Sequence, residues 1–168
     1  MVRVASVLRK IENNISTVNS AGYAPQELLK LVLERTQLLV NTQAERFRDV
    51  IVPELKEHGI EFAKISELSE AERGDLKGYY NRRIFPVLTP LVVDPSHPFP
   101  YISGLSLNIG INIESSEDHD ISFARVKVPT NLPRFIRTSD SSKHKFVLID
   151  ELIAEHLPEL FPGVKLKD

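Results

Sequence analysis

An α+β protein, with part of an N-terminal helical bundle followed by an incomplete antiparallel sheet and a packed helix, is the fold class this sequence predicts. Three observations predict it. Val4, Leu8, Ile11 and Ile15 recur at helical three-and-four spacing, and Leu29, Val32, Leu39, Phe47 and Val50 carry the same period further. Leu105, Leu107, Ile109, Ile111 and Ile113 alternate strictly with Ser106, Asn108, Gly110 and Asn112, the pattern of a half-buried strand. Pro25, Pro53 and Pro86 are the only prolines in the first 89 residues, whereas the other eight of the 11 lie beyond. A helical domain over 1–86 and an α+β domain over 87–168 are therefore expected.

The elements follow in order. The first helix should run to about Ser16, and no Ser, Thr, Asp or Asn precedes it as a cap, which predicts a domain truncated at its start. After the turn Asn19-Ser20-Ala21-Gly22, Pro25 suits a first helical position. One helix from 25 to 58 would be about 50 Å long at roughly 1.5 Å per residue, kinked by Pro53 and closed by Gly59. Ile60 to Ile65 is a short extended piece. Ser69-Glu70-Ala71-Glu72 has the form of a capping box and starts a helix carrying Leu76, Tyr79, Tyr80 and Ile84 until Pro86 stops it.

Pro90, Pro95, Pro98 and Pro100 predict an extended, linker-like stretch with little regular structure. Beyond the Leu105 to Ile113 strand, the acidic loop Glu114 to Asp120 should lead into Ile121 to Val128 as an antiparallel hairpin, with a later strand at Phe146 to Ile149. Asp150 is expected to cap a helix through about Phe161 that Gly163 ends, and Val164 to Asp168 alternates as a beginning strand. So few strands with one helix leave edges and a face uncovered, which predicts a second domain truncated at its end.

Composition narrows the function. The 21 Lys and Arg against 23 Asp and Glu give a net charge of −2, with 13 basic and 12 acidic residues in 1–89 and 8 and 11 in 90–168. That balance offers no broad attraction for nucleic acid. Zero cysteine excludes disulfides, thiolate metal sites and a cysteine nucleophile, and fits a reducing compartment. No run approaches the roughly 20 apolar residues of a membrane-spanning helix, and Arg3, Arg9 and Lys10 break any signal-peptide core, so a cytoplasmic protein is expected.

Candidate chemistry is sparse. His58, His97, His119, His144 and His156 show no metal-ligand spacing, and Asp118-His119-Asp120 has the form of a solvated hairpin tip. There is no phosphate loop, dinucleotide fingerprint or nucleophile elbow. Glu70, Glu72 and Asp75 are explained by capping and by the dipole of a first helical turn. Lys77, Arg82 and Arg83 make a basic helix end, where they complement the dipole or meet an anion. Arg125, Lys127, Arg134 and Arg137 could sit near one another on neighbouring strands and contact phosphate, or form a solvated sheet face. The Leu29 to Val50 stripe is a core or helix-packing surface.

Three stretches together are more specific than any one: Met1-Val2-Arg3-Val4-Ala5 opening a helix; Phe85-Pro86-Val87-Leu88-Thr89-Pro90-Leu91 running on to Asp94-Pro95-Ser96-His97-Pro98-Phe99-Pro100; and Phe123-Ala124-Arg125-Val126-Lys127-Val128-Pro129 followed by Asn131-Leu132-Pro133-Arg134-Phe135. In order and spacing they resemble the polyphosphate kinase family, the type that builds long-chain polyphosphate from ATP through a phosphohistidine. The likeness spans essentially the whole chain and places it at the end of that family's helical N-terminal domain and the first part of its α+β head domain.

What the resemblance implies is reversible transfer of the ATP γ-phosphate to growing polyphosphate, with ATP and Mg²⁺ as cofactors of the full-length family. It also implies that the phosphorylated histidine and the phosphate-binding cations belong to C-terminal domains beyond this chain. None of the five histidines matches that motif, so no catalytic, cofactor-binding or metal-ligating residue is assigned. The chain alone is expected to be inactive, with a structural and dimer-contact role and with a second copy or the remainder of the kinase as partner. A free-standing interaction module, built from the long helix and the hairpin, is the alternative from another class. RNA binding through Arg125 and Lys127 is the weaker third.

Overall fold

A computed structural model of the protein describes residues 2–93, 99, 101–115, 121–139 and 144–167. It confirms the α+β class, with helices preceding a largely antiparallel β structure. Two compact units divide the chain between Glu54 and Leu55, rather than at the compositional change near residue 86. The reason is a strand pairing that composition does not carry. β1 (Ile60–Phe62) lies parallel to β6 (His144–Leu148), with Ile60 opposite His144 and Phe62 opposite Phe146, so residues just past 55 join a sheet built by the end of the chain.

In the first unit α1 (Val2–Glu12) is shorter than its periodicity suggests. Asn14 adopts φ 54°, the Ile15 N–H bonds to the Lys10 carbonyl at 2.8 Å, and the Asn14 N–H bonds to that of Ile11 at 3.0 Å. Those bonds make a Schellman end, and asparagine is the residue besides glycine that tolerates its left-handed position. The Asn19 side chain then accepts from the N–H groups of Ala21 and Tyr23 at 2.9 and 3.0 Å, turning the chain into α2 (Pro25–Arg46), which opens on Pro25 as expected. Val4 and Val7 of α1 line a cavity of about 330 Å³ with Leu28, Leu29 and Val32 of α2. Farther along, the predicted stripe opens to solvent, with Leu39 57% and Phe47 47% exposed.

The prolines act through one device used twice. Residues Phe47–Ile51 form a π-helical turn in which the Val52 N–H reaches the Phe47 carbonyl, and α3 (Val52–Glu57) continues through Pro53. Residues Tyr80–Ile84 form a second π turn after α4 (Glu70–Tyr79), with the Phe85 N–H on the Tyr80 carbonyl, ahead of Pro86. A proline inside a helix lacks an N–H and its ring collides with the carbonyl four residues back; widening the preceding turn relieves that collision. Neither proline breaks the chain sharply. Gly59, at φ 77°, closes the first of these helical runs as predicted.

The second unit holds both sheets. One has the order β1-β6-β5, with β5 (Phe135–Arg137) an unpredicted strand antiparallel to β6. The other has the order β2-β4-β3-β7 and is antiparallel throughout, joining β2 (Pro90–Val93), β4 (Ile121–Lys127), β3 (Asn108–Ser115) and β7 (Val164–Lys167). β2 corrects the expectation of a linker at Pro90. Its proline is the first residue of an edge strand, where a missing N–H costs little. The hairpin appears as predicted, although residues 116–120 of its loop lie outside the described residues, as do residues 94–98 and 100 of the proline stretch. The strand opens at Asn108 instead of Leu105, which turns outward at φ 62°.

α5 (Ile149–Glu155) begins one residue before Asp150 and stops well before Phe161. Leu148 is its cap residue and makes no side-chain cap, so Asp150 sits in the first turn, where its charge suits the helix dipole. Pro158 ends the regular helix in a short 3₁₀ turn over Leu157–Glu159. Leu76, Tyr80, Ile84, Ala124, Val126, Val147, Ile149, Leu152 and Ile153 belong to one buried cluster that draws on both sheets and on the helices of this unit.

Candidate functional site

β4 is the central strand of the core, and its alternation creates two surfaces. Ala124 and Val126 are fully buried in the cluster, while Phe123, Arg125 and Lys127 project from the opposite face. Arg125 stands opposite Leu91 on one side and Gly110 on the other. It is only 9% exposed. Its Nη1 donates to the Tyr101 carbonyl at 3.4 Å, and its Nε has no hydrogen-bond partner among the described residues. Phe123, stacked on Phe99 at 5.6 Å, occupies the space that a Cβ at Gly110 would enter, 3.0 Å from the ring.

Arg125 and Lys127 line a cavity of about 340 Å³ together with Thr89, Thr130 and Asn131; Val87, Leu91 and Pro129 supply its aliphatic wall. Sequence reasoning found the two cations and missed the three polar neighbours. Pro129 at the strand exit was the available signal, because it forces the turn that returns Thr130 and Asn131 beside the cations.

Of the four cations expected near one another on neighbouring strands, only Arg125 and Lys127 share a cavity. Arg137 lines a different cavity, of about 570 Å³, with Arg82 and Asp75, and Arg134 lies 4.0 Å from Asp150. Lys77 pairs with Glu159, and Arg83 is exposed. Glu72 is the reciprocal member of the predicted capping box: its N–H bonds to Ser69 Oγ at 3.3 Å and its Oε2 accepts from the Ser69 N–H at 3.0 Å. Its Oε1 also holds Lys145 Nζ at 2.9 Å, a long-range partner that the sequence did not disclose. The Ser69 N–H, then Lys145 and the Ser69 hydroxyl, hold the Glu72 carboxyl down at about 2. Glu70 and Asp75 are exposed.

Of the histidines, His58 and His144 are exposed, and His97 and His119, with the rest of the 118–120 tip, lie outside the described residues. His156 packs its ring 4.5 Å from that of Tyr80 and is held below its ordinary pKa, by burial first and by Lys77 second. Burial, with Glu159 nearby, pushes the Tyr80 hydroxyl up to about 12. Among the described residues no three His, Asp or Glu side chains converge to hold a metal ion.

Fold and site define an α+β protein of two units, with a small pocket beside β4 lined by Arg125 and Lys127. The family model of the polyphosphate kinase N-terminal domain matches residues 1–63, and that of the polyphosphate kinase middle domain matches 71–168. The chain belongs to the polyphosphate kinase family. It is 42% identical over 174 residues to the polyphosphate kinase of Mycobacterium marinum and 42% identical over 179 residues to that of Mycobacterium leprae, covering 99% of this chain and 24% of each relative. The crystal structure of polyphosphate kinase from Porphyromonas gingivalis superposes with a TM-score of 0.77 at 26% identity, over 99% of this chain and 24% of that one. The chain thus spans about a quarter of the length of the relatives it matches.

Proposed function

We propose that these residues form the N-terminal and middle-domain part of a cytoplasmic ATP:polyphosphate phosphotransferase, in which they play a structural role. ATP and Mg²⁺ would be held by the remainder of the kinase. The observation that carries this is the ordered match of two domain models across 1–63 and 71–168 in a chain a quarter as long as its relatives. The surface of α2 supports it: Leu31, Leu33, Leu38, Leu39 and Val40 are each at least 41% exposed, an apolar run suited to covering by a second copy or by the rest of the kinase. No helix among the described residues is long and apolar enough to cross a membrane.

The test is the intact mass of the native gene product, captured from its own cells with an antibody against residues 90–168, with polyphosphate synthesis from ATP and Mg²⁺ assayed on the same sample. A product several-fold larger than 19.0 kDa that makes polyphosphate is the expected result. A 19.0 kDa product without synthesis overturns it in favour of an interaction module.

A further inference from the structure

The pocket beside β4 has a feature that packing alone leaves unexplained. Arg125 is 9% exposed, yet its Nε finds no acceptor among the described residues. Buried guanidinium donors are ordinarily matched, because desolvating them without an acceptor is costly. Lys127 lines the same cavity, and among the described residues no carboxylate does. The contrast is the cavity at Arg82 and Arg137, where Asp75 supplies a counter-charge. Among the described residues the charge around Arg125 is uncompensated, and the neighbouring polar groups are the hydroxyls of Thr89 and Thr130 and the amide of Asn131.

We infer that the Arg125–Lys127 pocket binds an inorganic phosphoryl oxyanion. A guanidinium offers paired donors to two oxygens, an ammonium adds a mobile point charge, and hydroxyl and amide groups donate to the oxygens that remain. A single-stranded nucleic acid is disfavoured by the same lining. Base recognition rests on aromatic or guanidinium stacking surfaces, and among the described residues this cavity is lined by no aromatic side chain and by one guanidinium, which is buried. Orthophosphate and condensed phosphate share the required chemistry. That the natural ligand is condensed phosphate rests on the proposed function.

The experiment measures binding of inorganic tripolyphosphate, orthophosphate and a single-stranded RNA oligonucleotide to the native gene product by calorimetry at low salt, without nucleotide. Lys127→Gln, at an exposed position, should weaken tripolyphosphate binding about threefold or more, and Arg125→Gln at least tenfold. Arg125→Lys, which keeps the charge and loses the paired donors, should fall between. Orthophosphate bound with the same dependence on both residues supports the site with free phosphate as its ligand. If Arg125→Gln does not fold by circular dichroism, Lys127→Gln decides. Tripolyphosphate binding unchanged in the folded variants, or RNA displacing it at equal charge concentration, overturns the inference. Polyphosphate synthesis measured alongside separates the two ideas: synthesis with unchanged binding sinks the site alone, and lost binding in a product that makes no polyphosphate sinks the proposed function alone.

Discussion

Residues 3–54 bury one residue, Pro25, whereas residues 55–168 supply the whole buried cluster from Ala63 to Phe161. The two units have comparable shares of apolar residues in their helices and use them in opposite ways. In the second unit the apolar positions converge from both sheets and from α4 and α5, so packing specifies the structure. In the first, local devices do: a Schellman end at Asn14, an Asn19 turn, a proline at the start of α2, and an exposed Lys30–Glu34 pair at 3.9 Å. Such devices contribute tenths of a kcal/mol to about 1 each, too little to hold a helix pair firmly without a covered face. Order in the first unit is thus set locally, and its rigidity depends on what covers it.

Hydrogen exchange gives the largest measurable contrast. Amides of β4 and α5 should be protected roughly a thousandfold more than those of α2 in the 19.0 kDa chain alone, because local opening is far easier where few side chains are buried. Equal protection would break the comparison. The contrast also explains what could be foreseen from sequence. The capping box, Pro25 and Gly59 are local chemistry and were legible, as was the alternation that makes β3. Strand β5 and the parallel pairing of β1 with β6 were not, since three-residue strands have no period and the partner of β1 lies some 80 residues away. The site was half legible: Arg125 and Lys127 stand two apart on one strand, but the burial of one and the company of Thr89 follow from the fold.

Substitutions come next in size. Glu72→Ala removes both the reciprocal cap and the partner of Lys145, whose side chain is 14% exposed, and should cost about 3–5 kcal/mol. Ile153→Ala, at a site with no solvent exposure, should cost about 2–5 kcal/mol. Leu38→Ala, on the 54% exposed face of α2, should change stability by less than about 0.5 kcal/mol and reduce association. Urea midpoints for the three variants check the order, and a Leu38 effect as large as that of Ile153 would mean the first unit has a packed core after all.

Acid should act on the second unit in two stages. His156 and Glu72 both have folded-state pKa values below their ordinary ones, 6.5 and 4.5, so each contributes stability in full above those values and loses it as pH falls. The His156 contribution should fade first, below about pH 6.5, as its ring beside Tyr80 and Lys77 takes a proton that the unfolded chain binds more readily. The Glu72 contribution should follow between about pH 4.5 and 2, worth up to about 3 kcal/mol. Stability measured against pH in His156→Gln should lose the upper step and keep the lower. A profile unchanged by that substitution removes His156 from the account.

One small expected effect runs the other way, toward greater stability. Leu105 is fully exposed and adopts φ 62°, a left-handed conformation that a branched side chain resists. It sits in a turn closed by the Ser106 N–H and hydroxyl on the Ser103 carbonyl, at 3.3 and 2.7 Å. Glycine is the residue such a position favours, yet Gly104 stands one place too early to serve. Leu105→Gly should therefore stabilise the second unit by about 0.5–1 kcal/mol, because it relieves the strain and removes an exposed apolar side chain with no packing to lose. Gly104→Ala is the control and should give no such gain. A loss of stability in Leu105→Gly would show that the side chain is covered in the native protein, which would extend to the second unit the dependence on a neighbour that the surface of α2 gives the first.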